Sequence, residues 1–184
     1  MKLALILAVF AAPVFADTCP PAGDFSEELA TLRSAANAAP DERAGRAVSD
    51  KMWEVWLRAP DERAQTALDR GMRQRGNYDF AGAYDSFDRL VAYCPAYAEG
   101  YNQRAFISYL RADYDSALVD LDAALDLSPD HVGAQSGRAL TLMQLGQTAE
   151  ARTQLQAALK NNPWLSERAL LAKGGPLAPK GEDI

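Results

Sequence analysis

One histidine, two cysteines and a recurring set of arginines are the residues with which this chain could do chemistry. His131 follows Pro129 and Asp130 in a polar stretch between helical segments, where packing alone calls for a polar residue. No serine, histidine and acid arrangement can be built without it. A zinc cluster needs three or four Cys or His ligands, more than Cys19, Cys94 and His131 supply in this spacing. Gly146 stands alone in its turn and lacks the Gly-Lys pair that cradles a phosphate. Asp120, Asp122 and Asp126 are spaced as the solvated face of a helix, whereas paired catalytic acids need burial and a defined separation. These residues point to a noncatalytic protein without metal or cofactor. A formal charge of −6 and a pI near 4.8 exclude the basic stripe of a nucleic-acid binder and disfavour attraction to anionic lipid heads.

The first residues read as an address. Met1-Lys2 opens a short apolar run from Leu3 to Ala12, too short to span roughly 30 Å of hydrocarbon. Val14 and Ala16 are small residues one position apart, the spacing a signal peptidase reads, which predicts cleavage after Ala16. An uncleaved anchor or a buried N-terminal helix is the blander alternative. The mature chain is then acidic, exported and without an integral membrane segment. In an oxidising compartment two thiols in one chain favour a Cys19–Cys94 disulfide over an intermolecular bridge by Cys19 or a buried, inert Cys94.

The elements that must position any site are set by a repeat. Pro95, Pro129 and Pro163 stand 34 residues apart, and the same period aligns Gly71, Ala105 and Ala139; Ala83, Ala117 and Ala151; Phe87, Leu121 and Leu155; and Leu90, Ala124 and Ala158. Arg70, Arg104 and Arg138 recur in step. Each copy reads as two helices: in the middle one, 101–111 and 115–127 lack Gly and Pro and carry apolar residues three and four apart. Small residues let helix backbones approach closely, and Phe87, Leu121 and Leu155 fill the space between. One such hairpin cannot bury its apolar face alone, so the copies must stack.

The run Tyr101, Ala105, Tyr114, Ala117, Leu121 and Pro129 resembles the tetratricopeptide repeat (TPR) family. The first copy supplies Gly71, Phe80, Ala83, Phe87 and Pro95, and the third Ala139, Gly146, Ala151, Leu155 and Pro163. Ala67, Gln135 and Thr148 depart from the family's pattern of large and aromatic residues. The resemblance implies an all-α fold, a right-handed superhelical stack of antiparallel helix pairs, with repeats at 64–97, 98–131 and 132–165. Residues 17–63 form an N-terminal helical cap. It is read either as a degenerate repeat with Trp53 and Trp56 buried against helix 64–75, or as an irregular cap without repeat geometry. A capping helix is expected over 166–173 and a disordered tail over 174–184.

The family lines its inner curve with first-helix residues and binds extended peptides there. Carried over by register, the groove comprises Leu68, Met72 and Arg75; Asn102, Phe106 and Tyr109; and Ser136, Leu140 and Met143. Asparagine can donate and accept together, and Met with aromatics suits an adaptable apolar contact. The blander reading has Phe106 and Leu140 packing on neighbouring helices. Arg104 is expected to pair with Asp120 across its hairpin; a ligand-binding arginine ladder is the sharper alternative. The chain looks like the small exported TPR proteins of Gram-negative bacteria. That implies a periplasmic scaffold or adaptor for a protein or peptide partner, with a homo-oligomeric structural protein as the other reading.

Overall fold

The structure, a computed structural model, describes residues 18–179. The expected leader over 1–16 and the last residues of the tail lie outside the described residues. Three helix pairs follow one another: α3 (Glu62–Gly76) with α4 (Phe80–Tyr93), α5 (Ala98–Leu110) with α6 (Tyr114–Leu127), and α7 (Val132–Gln144) with α8 (Thr148–Asn161). An N-terminal hairpin of α1 (Ser26–Ala38) and α2 (Glu42–Trp56) precedes them, and a 3₁₀ helix (Ser166–Leu171) stands where a capping helix was expected. Each pair packs on the next through α4 against α5 and α6 against α7, while α3, α5 and α7 meet on the inner side.

Local chemistry explains where the helices start. Asp41, Asp61, Asp79 and Asp113 are N-caps whose side chains accept the amides of Ala44, Ala64, Gly82 and Ser116. The phrase Ala-Pro-Asp-Glu-Arg-Ala occurs at both 39–44 and 59–64, and in each copy the proline, Pro40 or Pro60, lies outside the helix while the aspartate caps it. The turns within repeats demand a left-handed residue at positions 34 apart: Tyr78 (φ 61°), Ala112 (φ 60°) and Gly146 (φ 76°). A side chain in this region costs roughly 1–2 kcal/mol relative to the right-handed form, a cost Gly146 avoids.

The period-34 small and large residues form the core. Ala83, Ala117, Ala151, Ala105 and Ala139 are fully buried, as are Phe87 and Leu155, with Leu121 nearly so. Their sizes are matched across each hairpin. A Cβ on Gly71 would fall 2.4 Å from a Phe87 ring carbon, so the first repeat pairs Gly with Phe where the other two pair Ala with Leu.

Two expectations are corrected at the ends. The hairpin α1–α2 does not place its tryptophans against helix 64–75. It runs along the turns between repeats, meeting Tyr97, His131 and Leu165, residues 34 apart, and α1 reaches α8 at the far end of the stack. Trp56 stacks on His131 with ring centroids 4.1 Å apart and shares a core with Ala36, Met52 and Val132, while Trp53 is 37% exposed. The far-end contacts are specific: Trp164 Nε1 donates to the Ala36 carbonyl at 2.8 Å and Asn162 donates to Ser49 at 2.7 Å. Gly45 is what admits Trp164, since a Cβ there would lie 2.1 Å from the indole. The second correction concerns the tail. Residues 174–179 fold back and bury Leu177 against Ala139, Leu142 and Leu155, and Arg152 donates to the carbonyls of Leu177 and Ala178 at 2.8 Å each. Among the described residues no further repeat follows α8, and one leucine after a two-glycine turn covers its apolar face.

Cys19 and Cys94 form a disulfide with Cα atoms 5.1 Å apart, tying the start of the hairpin to the end of α4. Closing a loop of 75 residues restricts the unfolded chain by up to about 4 kcal/mol in the chain-entropy model. Replacing Gly45 by valine should expel Trp164, lower stability by about 2 kcal/mol and red-shift tryptophan emission. Urea denaturation followed by fluorescence checks this, and an unshifted spectrum at unchanged stability would contradict the docking of hairpin on C-terminal segment.

Candidate functional site

The inner sides of α3, α5 and α7 enclose a cavity of about 430 Å³. Met72 and Arg75 come from α3, Asn102, Phe106 and Tyr109 from α5, and Ser136 and Leu140 from α7. The structure thus brings these expected groove residues together and separates Leu68 and Met143 from them. Leu68 is fully buried in the first repeat's core, in the cluster against which Leu57 and Ala59 pack, and Met143 packs on the cluster that holds Leu177. Phe106 is 44% exposed, so it faces the groove rather than a neighbouring helix. Period reasoning missed Trp53 and Leu57, which wall the cavity from the hairpin, and Glu167, which lines it from the 3₁₀ helix. No sequence period marks them, because they belong to elements outside the repeat.

Beneath the cavity lies a polar network centred on Glu99, which is 1% exposed. One carboxylate oxygen accepts from Asn102 Nδ2 at 2.9 Å and meets His131 Nε2 at 2.8 Å; the other accepts from Gln103 Nε2. His131 Nδ1 accepts the Ala134 amide at 3.2 Å as the N-cap of α7, which leaves Nε2 to carry the proton given to Glu99. The single histidine is therefore a fully buried structural residue that also stacks on Trp56, and not an exposed turn residue. Gln103 passes the network outward by accepting from Arg75 Nη1, and Arg75 lies over the Phe106 ring at 5.2 Å. Burial lowers the pKa of Arg75 from its ordinary value, and the charge of Glu99 pulls in the other direction. Nearby, the Tyr97 hydroxyl donates to the Trp56 carbonyl at 2.6 Å, and burial pushes its pKa far above the usual phenol range.

The recurring arginines bridge neighbouring second helices. Arg104 holds both oxygens of Asp120 at 2.8 and 2.7 Å and reaches Asp88 at 2.7 Å, positions sixteen residues to either side. Its hydrogen bonds to Asp120 raise its pKa above that of an ordinary arginine. Arg138 contacts Asp122 and Gln154 at the same offsets. In the first repeat Ser86 takes the equivalent place, and Arg70 makes no ion pair among the described residues. Asp120 is 5% exposed, which gives Arg104 a structural role.

Residues 109–173 match the family model described as tetratricopeptide repeat. The fold is a TPR solenoid. Over 78 residues the chain is 40% identical to a tetratricopeptide repeat protein 36 homolog of Nematostella vectensis, covering 42% of each protein. It is 32% identical over 78 residues to a TPR repeat-containing protein of Rhizobium etli, covering 42% of this chain and 37% of that one. The chain thus spans less than half the length of these relatives. Among solved structures it resembles the first TPR of Spaghetti (RPAP3) bound to an HSP90 peptide, with a TM-score of 0.59 at 18% identity over 61% of this chain and 90% of that one. The TPR2B domain of yeast Sti1, in complex with an Hsp70 peptide, aligns with a TM-score of 0.57 at 21% identity over 61% of this chain and 93% of that one. At these identities the likeness concerns the fold.

Arg104→Ala should leave the Asp120 carboxylate buried and unpaired and lower stability by about 3 kcal/mol. Arg138→Ala, whose partner Asp122 is half exposed, should cost less than about 1 kcal/mol. Chemical denaturation of both variants checks the contrast, and equal losses would contradict it.

Proposed function

We propose that this chain is a noncatalytic TPR adaptor of the bacterial cell envelope that holds an extended segment of a partner protein in its concave groove. The observation that carries the reading is the cavity between α3, α5 and α7. It is large enough for side chains of a peptide, lined by apolar and aromatic surface, and bordered by the polar groups of Asn102, Ser136 and Arg75. Two of the solved structures of this fold are peptide complexes, which supports the same use here. Asn102 is positioned for it. Glu99 can only accept, so it claims an N–H of the Asn102 amide and leaves the amide oxygen to accept from an occupant.

The envelope location rests on the apolar leader with its Val14 and Ala16 cleavage signal and on the Cys19–Cys94 disulfide, which suits an oxidising compartment. Among the described residues no helix is long and apolar enough to cross a membrane. Panning a displayed library of random twelve-residue peptides against the disulfide-bonded protein should yield binders. Phe106→Ala combined with Tyr109→Ala should weaken them by about tenfold or more while the fold is retained by circular dichroism. A library that yields no binders, or binders indifferent to that pair of substitutions, would refute the adaptor reading.

A further inference from the structure

A second cavity, of about 290 Å³, is enclosed by the segment leading into α1, by α1 itself, by the end of α2 and by the turns that follow α4 and α6. Within the hairpin Trp53 and Leu57 wall the groove, whereas Val55 and Trp56 wall this cavity, and the two share no lining residue. Its volume is at the small end of the range for small-molecule sites.

Two polar features define its occupant. The first is a donor without an acceptor. Trp56 is 8% exposed, and its Nε1–H is one of three buried side-chain polar groups among the described residues that have no hydrogen-bond partner. An indole nitrogen can only donate, and leaving it unpaired in the interior works against folding. An oxygen in the cavity that Trp56 borders would satisfy it. The second feature is negative charge without a countercharge. Two guanidiniums line the cavity, and each is already held by a carboxylate: Arg33 by Asp130 at 3.0 Å, and Arg58 by both oxygens of Glu28 at 2.7 and 3.0 Å. Asp24 and Glu99 also line it, and neither meets a cation among the described residues. Asp24 accepts the Ser26 amide at 3.0 Å. Glu99 is met by the amides of Asn102 and Gln103 and by the neutral imidazole of His131, with Arg75 a step further away beyond Gln103. Phe25, Trp56 and Tyr97 add aromatic surface to the same cavity. Unbalanced carboxylates beside aromatic rings favour an organic cation over an anion or a neutral molecule.

We propose that this cavity binds a small soluble organic cation that carries an oxygen acceptor, an amino alcohol or its quaternary ammonium form. Its positive charge sits against Asp24, Glu99 and the aromatic surface, and its oxygen takes the Trp56 N–H. The site does not depend on the adaptor reading, because none of its residues lines the groove.

The test follows the indole N–H resonances of the isotope-labelled, disulfide-bonded full chain by NMR, with Trp56 assigned as the signal missing from Trp56→Phe. Two probes are titrated at constant ionic strength: choline, and its uncharged isostere in which carbon replaces the quaternary nitrogen. Choline is expected to shift the Trp56 signal saturably, and the isostere to bind about tenfold more weakly. Asp24→Asn, which keeps an acceptor for the Ser26 amide, should weaken choline by a similar factor, and Phe106→Ala should leave it unchanged. Equal binding of choline and the isostere, or binding indifferent to Asp24→Asn, would overturn the assignment to a cation. The absence of a saturable shift would make this a hydrated void whose water satisfies the indole, and would overturn the site itself. A shift lost in Phe106→Ala would move the binding to the groove and overturn it equally. Cosedimentation with phosphatidylcholine vesicles that free choline competes away would make the ligand a lipid headgroup and overturn the assignment to a soluble cation. None of these outcomes bears on the adaptor reading, which the peptide library tests separately.

Discussion

A carboxylate buried at the centre of a helical stack must collect its donors from whatever surrounds it, and here those donors tie two faces of the molecule together. Glu99 takes amide protons from Asn102 and Gln103 on the groove side and the imidazole proton of His131 on the side of the hairpin. An ionised carboxylate left without these partners in the interior would cost several kcal/mol, so each donor is held in one orientation. His131, fixed at Nε2 by Glu99 and at Nδ1 by the Ala134 amide, offers a flat, immobile face on which Trp56 stacks. Gln103, fixed in the same way, presents its oxygen to Arg75. The middle repeat thereby sets both the floor of the groove and the seat of the hairpin.

The hairpin changes what an otherwise ordinary stack of repeats can do. By following the turns between repeats from Tyr97 to Leu165, it contacts successive repeats at equivalent places and gives a chain of nearest-neighbour contacts a long-range clasp. The Asn162–Ser49 and Trp164–Ala36 hydrogen bonds hold it at the far end, and the Cys19–Cys94 disulfide holds it at the near end. A stack closed in this way has a groove that the hairpin walls with Trp53 and Leu57.

The repeat core was legible in the sequence because its physics is periodic. Close packing demands a small residue at Ala83, Ala117 and Ala151 and a large one at Phe87, Leu121 and Leu155, and a 34-residue shift exposes that demand without any structure. The groove followed by register, with Leu68 lost from it because the first repeat has a covering segment that the others lack. What escaped was the chemistry of elements outside the period. Trp53 and Trp56 sit where a backward shift by one repeat places them opposite Phe87 and Leu90, yet the tertiary path of α2 takes them to His131. Gly45 lies inside a helix, where glycine ordinarily only weakens the element, yet its missing side chain is what makes room for Trp164. The tail's composition, low in apolar residues on average, concealed Leu177, since a single anchor needs no apolar surroundings in sequence. Glu99 and His131 lie 32 residues apart, off the period, so their pairing left no trace in the register.

The claim that one buried carboxylate seats both groove and hairpin is tested most directly by residue-resolved hydrogen exchange on Glu99→Gln against the native chain. This isosteric change turns an acceptor toward donors and costs about 2 kcal/mol locally. Coupled loss of protection in α5, in α2 around Trp56 and at the Ala134 amide opening α7, with α4 and the Leu177 anchor unaffected, is the result the structure predicts. Loss confined to α5, with α2 as protected as before, would contradict it.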